Sequence, residues 1–132
     1  MANSKIIAWI LRVAIAGEFV GHGAWALKGR TDWTGWIQQL TGAGHGTAAT
    51  LLTVVGLSDL LVALIILAWP IRVVVLWAAV WGFWTALVRP LVGVEVWDFI
   101  ERWANWGAPL ALLLLLGWPK NWKEWFSIRN RG

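Results

Sequence analysis

The sequence predicts an all-α protein, a bundle of four transmembrane helices with short interfacial helices, in a single integral membrane domain over residues 1–132. Three observations predict this class. The chain is 59% hydrophobic, with a mean hydropathy of +0.64, and only 14% of its residues are charged. Its apolar runs approach or reach the roughly 20 residues that a helix needs to cross a bilayer. Most of its 14 tryptophans fall near the ends of these runs, where membrane proteins place aromatic side chains.

Four apolar segments are the predicted spans. They cover about residues 6–27, 47–69, 71–88 and 97–118. The first also resembles a signal peptide, and we interpret it as a retained span. Prolines follow the other three, at Pro70, Pro90 and Pro119, where a helix is expected to end. The fourth reaches spanning length only if its helix begins near Val96, and Pro109 is expected to kink it and free a backbone carbonyl.

Two further segments predict short interfacial helices, at about residues 32–40 and 120–127. In the first, four apolar side chains recur at i, i+3, i+4 and i+7, which gives one apolar face suited to the outer leaflet. They are Trp33, Trp36, Ile37 and Leu40. The second places Trp122, Trp125 and Phe126 on one face, and we expect both helices to anchor in the membrane surface.

The distribution of Lys and Arg predicts the orientation of the four spans. Six basic residues fall on the side of both termini: Lys5, Arg72, Lys120, Lys123, Arg129 and Arg131. Four fall on the other side: Lys28, Arg30, Arg89 and Arg102. The positive-inside rule then places both termini in the cytoplasm, in a bacterial-type inner membrane. Because the basic residues flank apolar spans, membrane lipids are the expected partners of the net charge of +4, and nucleic acid is not.

Three ionisable residues within the first two spans form the leading candidate site. Glu18 and His22 are one helical turn apart, so their side chains share a face. Asp59 falls at a similar depth in the second span, and consecutive spans normally pack together. Ionisable groups at membrane depth usually face protein or a water-filled cavity. The cluster is either a ligand-binding or proton-exchanging site, or a set of protonated groups that hold the helices together.

On the neighbouring face of the first span, Gly17 and Gly21 form a GxxxG pattern. Such a pattern lets a second helix approach closely, and a close helix contact is predicted there. Arg12 lies about two turns from the cytoplasmic end of the same span. It is expected to extend toward the membrane surface, with a role in the site as the alternative.

A stripe of tryptophans runs through the middle of the third span. Trp77, Trp81 and Trp84 recur at i, i+4 and i+7, so they share one face. The stripe is either an aromatic wall against which a planar lipid such as a quinone stacks, or a helix-packing and lipid-contacting surface. Both interpretations stay open at the level of the sequence.

A polar stripe begins the fourth span on the outer side. It consists of Asp98, Glu101, Arg102 and Asn105, at i, i+3, i+4 and i+7. Glu101 and Arg102, with Arg89 nearby, either line the mouth of the Glu18 cavity or face water. We therefore include Arg89, Glu101 and Arg102 among the candidate site residues.

The sequence argues against most cofactors and assigns no catalytic residue. With no cysteine, it lacks disulfides, thiol redox chemistry, c-type haem attachment and Cys-ligated metals. A bis-histidine haem would need His22 and His45 at one level, and their predicted levels differ, so haem is not expected. No metal site is predicted, and no lysine within a span is available for a retinal Schiff base. Quinone remains the candidate cofactor.

Several segments resemble the DoxX-like family of small four-helix integral membrane proteins. They are GEFVGHGAWALKG at the end of the first span, GLSDLLVALIIL in the second, and the charged pair Glu101-Arg102 before the last. The resemblance covers most of the chain and implies a compact four-helix bundle. Some members are linked to quinone-dependent sulfur oxidation, and others assist the assembly of membrane proteins. It implies that Glu18, His22 and Asp59 are the residues that matter most.

Two functions follow as hypotheses. The first is a bundle that holds a lipophilic ligand such as a quinone beside the Glu/His/Asp cluster, as in a membrane subunit of a quinone-linked oxidoreductase. The alternative is an accessory or assembly subunit of a larger membrane complex, or a homo-oligomer, whose Trp-rich surfaces dock to other chains. A proton-coupled transporter is a third hypothesis, which would require several copies to form a path.

Overall fold

The computed structural model describes residues 2–128, and this part of the chain folds into seven α-helices. Their bounds are α1 Ala2–Leu27, α2 Thr31–Thr41, α3 His45–Ala68, α4 Arg72–Leu91, α5 Val96–Ile100, α6 Ala104–Leu116 and α7 Trp122–Phe126. The prediction of an all-α protein is therefore confirmed for these residues.

Three of the helices are long and apolar enough to cross a membrane. α1, α3 and α4 contain 26, 24 and 20 residues. At about 1.5 Å per residue, even the shortest is roughly 30 Å long, which matches the hydrocarbon core of a bilayer. Many of their apolar side chains are exposed on the protein surface, for example Ile10, Val54, Leu57 and Leu64. Such surfaces suit contact with lipid.

The predicted fourth segment contains two helices instead of one. α5 and α6 are separated by three turn residues, 101–103. α6 has 13 residues and packs against α4 and α1. Pro109 lies inside α6 and is buried. Because it has no N–H, Pro109 cannot bond the carbonyl of Asn105 four residues earlier. That carbonyl is directed at Gly82 of α4, where an added Cβ would lie only 2.4 Å from the oxygen.

The short helices α2 and α7 occupy the positions predicted for interfacial helices. α2 is bounded by Gly29 and Gly42, with φ of 71° and 72°, a conformation that glycine adopts without strain. At α7, the Asn121 side chain accepts a hydrogen bond of 3.1 Å from the backbone N–H of Glu124, which caps the helix. Arg129 and Arg131 are two of the six basic residues on the side of both termini, and they lie outside the described residues.

The close contact between α1 and α3 uses different glycines from those predicted. Nothing lies within 4 Å of a Cβ added at Gly17 or Gly21, so the predicted contact there is wrong within this chain. A Cβ at Gly23 would instead lie 3.0 Å from the carbonyl oxygen of Gly56. The reason is helical phase, because Gly21 is rotated by about 200° from the buried Phe19, while Gly23 lies one turn after it.

Two buried arginines bind the ends of neighbouring helices. Arg12 donates from Nε to the carbonyl of Ile66 at 2.9 Å and from Nη2 to the carbonyl of Leu67. Arg72 donates in the same way to Gly117 at 2.8 Å and Leu116 at 2.5 Å. These carbonyls end α3 and α6, where the helix itself supplies no donor. Arg12 is thus buried against the end of α3.

Candidate functional site

A cavity of about 200 Å³ lies between α2, α3 and α4, with one residue from α1. The lining residues are His22; Trp33, Trp36, Ile37, Leu40 and Thr41; Leu52, Val55 and Asp59; and Trp81, Trp84, Thr85, Val88 and Arg89. Most of these side chains are apolar or aromatic, and the polar groups are few. Such a lining is typical of sites for lipophilic small molecules.

One wall of the cavity is the apolar face of α2. All four residues of the predicted i, i+3, i+4, i+7 pattern line it. The sequence pattern predicts that this face contacts the membrane surface. The periodicity identifies the apolar face correctly, but hydropathy cannot distinguish a face that covers a protein cavity from one that contacts lipid. The face of α2 is therefore the part of the site that the sequence does not predict.

His22 and Asp59 both line the cavity, as predicted for a shared site. Glu18 is half-buried and close enough to Asp59 to interact with it electrostatically, but it does not line the cavity. Asp59 is only 3% exposed. Its carboxyl group interacts with the side chain of Trp81, and the His22 ring packs edge-on against Trp33 at 5.7 Å. The structure thus places the three candidate residues close together, and of these His22 and Asp59 line the cavity while Glu18 does not.

The tryptophan stripe of α4 divides between the cavity and the outer surface. Trp81 and Trp84 line the cavity, whereas Trp77 does not. Trp77 and Trp81 stack, with ring centroids 5.4 Å apart and an interplanar angle of 17°. Trp77 therefore supports the ring of Trp81 from outside, and Trp81 presents an aromatic surface to the cavity beside Asp59.

Arg89 lines the cavity from the last turn of α4. It is 6% exposed, and its Nη1 donates to the carbonyl of Thr85 at 2.5 Å. Its guanidinium lies 5.4 Å from the ring of Trp36. By residue count Arg89 is about 12 Å along α4 from Trp81, which interacts with Asp59. The carboxyl group of Asp59 and the guanidinium of Arg89 therefore lie at different levels of the cavity.

Glu101 and Arg102 do not line the cavity. Arg102 Nη1 lies 2.7 Å from Glu101 Oε1 and 3.6 Å from Asp98 Oδ1. The two charged residues thus lie in the turn between α5 and α6. Arg102 nevertheless interacts electrostatically with His22 and Arg89. The polar stripe contributes to the electrostatic potential near the cavity but does not line the cavity.

Among residues 2–128, no group of three or more His, Asp and Glu side chains is arranged to hold a metal ion. His45 begins α3 and is exposed, whereas His22 lines the cavity. The two histidines therefore do not share a site. What the cavity offers chemically is an apolar, partly aromatic space with a carboxyl group and a guanidinium at different levels.

The chain matches the model of no protein family, no curated protein and no solved structure. The resemblance to the DoxX-like family therefore stays a prediction from the quoted segments, and the function has to be argued from the cavity.

Proposed function

We propose that this protein is an integral membrane protein that binds a lipophilic small molecule in the cavity between α2, α3 and α4. The observation that carries the proposal is the lining, in which aromatic and aliphatic side chains surround a space of about 200 Å³ with a buried carboxyl group. The space suits a ring or a short chain segment, and a longer tail would extend into lipid. A quinone is one candidate, as the DoxX-like resemblance also implies.

The proposal includes a four-span arrangement in a bacterial-type inner membrane. α1, α3 and α4 are three of the spans, and the α5–α6 segment is the fourth. The packing of α6 against both α1 and α4 supports this assignment, because it continues the bundle formed by the long helices. Both termini are placed in the cytoplasm by the charge distribution. Membrane lipids then surround the exposed apolar surfaces.

Within the cavity, Asp59 and Trp81 are the proposed contacts for the polar part of the ligand at the inner end. Glu18 lies beside Asp59, and His22 lines the same space. These three groups form a proposed route for exchanging a proton with a bound ligand. Trp81 and Trp84 supply flat apolar surface, on which a ring stacks favourably.

The test compares two adjacent valines of α3. Val55 lines the cavity, whereas Val54 is 57% exposed on the outer surface. We expect Val55→Phe to fill the cavity and weaken binding of a short-chain ubiquinone analogue by about tenfold or more, which is about 1.4 kcal/mol. Val54→Phe should bind like the wild type. Binding is measured by equilibrium dialysis in a neutral detergent with quantification by mass spectrometry.

A Val55→Phe protein that folds and binds the analogue as tightly as Val54→Phe would show that the ligand is not held in this cavity. Lipids and quinones that co-purify with wild-type protein, identified by mass spectrometry, provide a second measurement. A co-purifying ligand lost selectively from Val55→Phe would support the proposal and identify the molecule.

An accessory or assembly subunit is the second candidate function, and one observation favours it. Gly17 and Gly21 have open space next to them, and the neighbouring Ala14 and Ala24 are exposed as well. A strip of small residues facing outward from a membrane helix suits close contact with a helix of another chain or of a second copy. The cavity favours the ligand-binding function over this one.

A further inference from the structure

Arg89 is a buried cation that faces the cavity without a carboxylate partner. The ion pairs within residues 2–128 join Arg30 to Asp32, and Arg102 to Asp98 and Glu101. None of them involves Arg89, although it is 6% exposed. Asp59, the carboxylate among the lining residues, lies about 12 Å deeper by residue count. Arg89 therefore forms no direct ion pair among the described residues.

The hydrogen bonds of Arg89 are also incomplete. Arg12 and Arg72 each use both Nε and Nη2 to bind the carbonyls at a helix end. Arg89 has one hydrogen bond within the described residues, from Nη1 to the Thr85 carbonyl. A guanidinium carries five N–H donors in a planar fork. The Nε and Nη2 donors of Arg89 are thus available to a group inside the cavity.

The charged groups around Arg89 partly offset one another. Arg30 and Arg102 interact with it unfavourably and Asp98 and Glu101 favourably, although both of these carboxylates are paired with Arg102. His22 lies in the field of all three arginines. A buried charge is costly unless it is paired. Arginine binds carboxylate and phosphate through two parallel hydrogen bonds, which neutral oxygen acceptors do not match in strength.

We infer that the natural ligand of the cavity is an anionic amphiphile, whose carboxylate or phosphate head binds Arg89 and whose hydrocarbon chain lies against Trp81 and Trp84. The inference rests on the proposed function and narrows the ligand class. A neutral quinone would fill the aromatic part and leave Arg89 unpaired. Two sources supply the chemistry: a free fatty acid, and an anionic phospholipid of the surrounding bilayer.

The test compares dodecanoate with dodecanol, which share a chain and differ in the head group. Wild-type protein in phosphatidylcholine nanodiscs at about pH 9, where the acid is ionised, should bind dodecanoate about tenfold or more tightly than dodecanol, as expected for a charge-assisted hydrogen bond. Arg89→Gln should bring the two affinities close together. Arg30→Gln is the matched control, since it removes a nearby charge that pairs with Asp32, and it should keep the preference.

Equal affinities for the two ligands in the wild-type protein would overturn the inference, and this comparison does not depend on whether a variant folds. A loss of preference in Arg30→Gln as large as in Arg89→Gln would also overturn it, because the effect would come from the overall field. If the quinone analogue binds and the preference for dodecanoate is absent, the proposed function stands without the inference. If dodecanoate, dodecanol and the analogue all fail to bind, both fail.

Nanodiscs that also contain phosphatidylglycerol distinguish the two sources of the anionic head. Weaker apparent binding of dodecanoate in these discs, seen with wild type and absent in Arg89→Gln, would assign the site to a phospholipid head group. Unchanged binding would assign it to a free acid. Either result supports an anionic amphiphile, provided that dodecanoate is preferred over dodecanol.

Discussion

At the scale of single residues, depth in the sequence indicates which polar groups lie inside the helix bundle, and the structure shows what each contacts. Glu18, His22 and Asp59 are identifiable because their helical spacing and depth are readable from the chain. Arg12 has the same kind of depth signal, yet its partners are carbonyls 54 and 55 positions away. Partners at that separation depend on how helices pack, so the sequence alone does not identify the carbonyls that Arg12 binds.

The first prediction concerns this contact. Arg12→Gln removes two charge-assisted hydrogen bonds to the end of α3, each worth about 1.5–3 kcal/mol. We expect the free energy of unfolding to fall by about 3–6 kcal/mol, because the carbonyls of Ile66 and Leu67 lose their donors. Reversible unfolding in mixed detergent micelles, followed by circular dichroism, measures the change.

Lys28→Gln serves as the control for Arg12→Gln. Lys28 is exposed, and its ammonium group lies 5.3 Å from the Trp25 ring centroid without a bond to a helix end. The control should change stability by less than about 1 kcal/mol. Equal effects of the two substitutions would mean that Arg12 contributes only its net charge.

At the scale of elements, the three long helices are predictable from the sequence. The division of the fourth segment into α5 and α6 is not, and neither is the rotation of each helix about its axis. Prolines and apolar runs mark α1, α3 and α4 closely. Which glycine faces a neighbouring helix depends on the rotation of its own helix about the helix axis. Hydropathy does not determine this rotation when the helix is apolar on all sides, as a membrane helix is. The same limit applies to α2. Its periodicity identifies the apolar face, but the sequence does not show that this face covers a cavity beside α3 and α4. The contact between Gly82 and the Asn105 carbonyl likewise joins two helices whose register only the structure gives.

The second prediction follows from the contact between α1 and α3. Gly23→Leu should lower the thermal unfolding temperature clearly, through overpacking of about 1–3 kcal/mol or more against Gly56 and Leu60. Gly21→Leu should leave it near the wild-type value, since nothing lies within 4 Å of that position. A large loss of stability in Gly21→Leu as an isolated monomer would contradict the packing described here. Loss of a co-purifying partner chain in Gly21→Leu, with normal stability, would instead favour the accessory-subunit function.

At the scale of the whole molecule, composition is sufficient for the fold class and insufficient for the cavity. The high apolar content predicts membrane helices wherever they are long. The cavity depends on α2 covering the groove between α3 and α4, which is a tertiary arrangement of a connecting segment. The antiparallel order of the helices is visible in two contacts. Arg12, near the start of α1, meets the end of α3, and Arg72, at the start of α4, meets the end of α6. The start of α1, the end of α3, the start of α4 and the end of α6 therefore lie at the same end of the molecule.

The last prediction assigns that end to the cytoplasm. The structure relates the ends of the helices to one another, and only the Lys and Arg distribution decides which end faces which compartment. We expect a green fluorescent protein fused after Gly132 to fluoresce and an alkaline phosphatase fused there to be inactive, because the first requires the cytoplasm and the second the periplasm. Fusions after Gly42, at the end of α2, should give the reverse pattern. An active phosphatase after Gly132 with a dark fluorescent fusion would invert the molecule. The end of α4 that carries Arg89 would then face the cytoplasm.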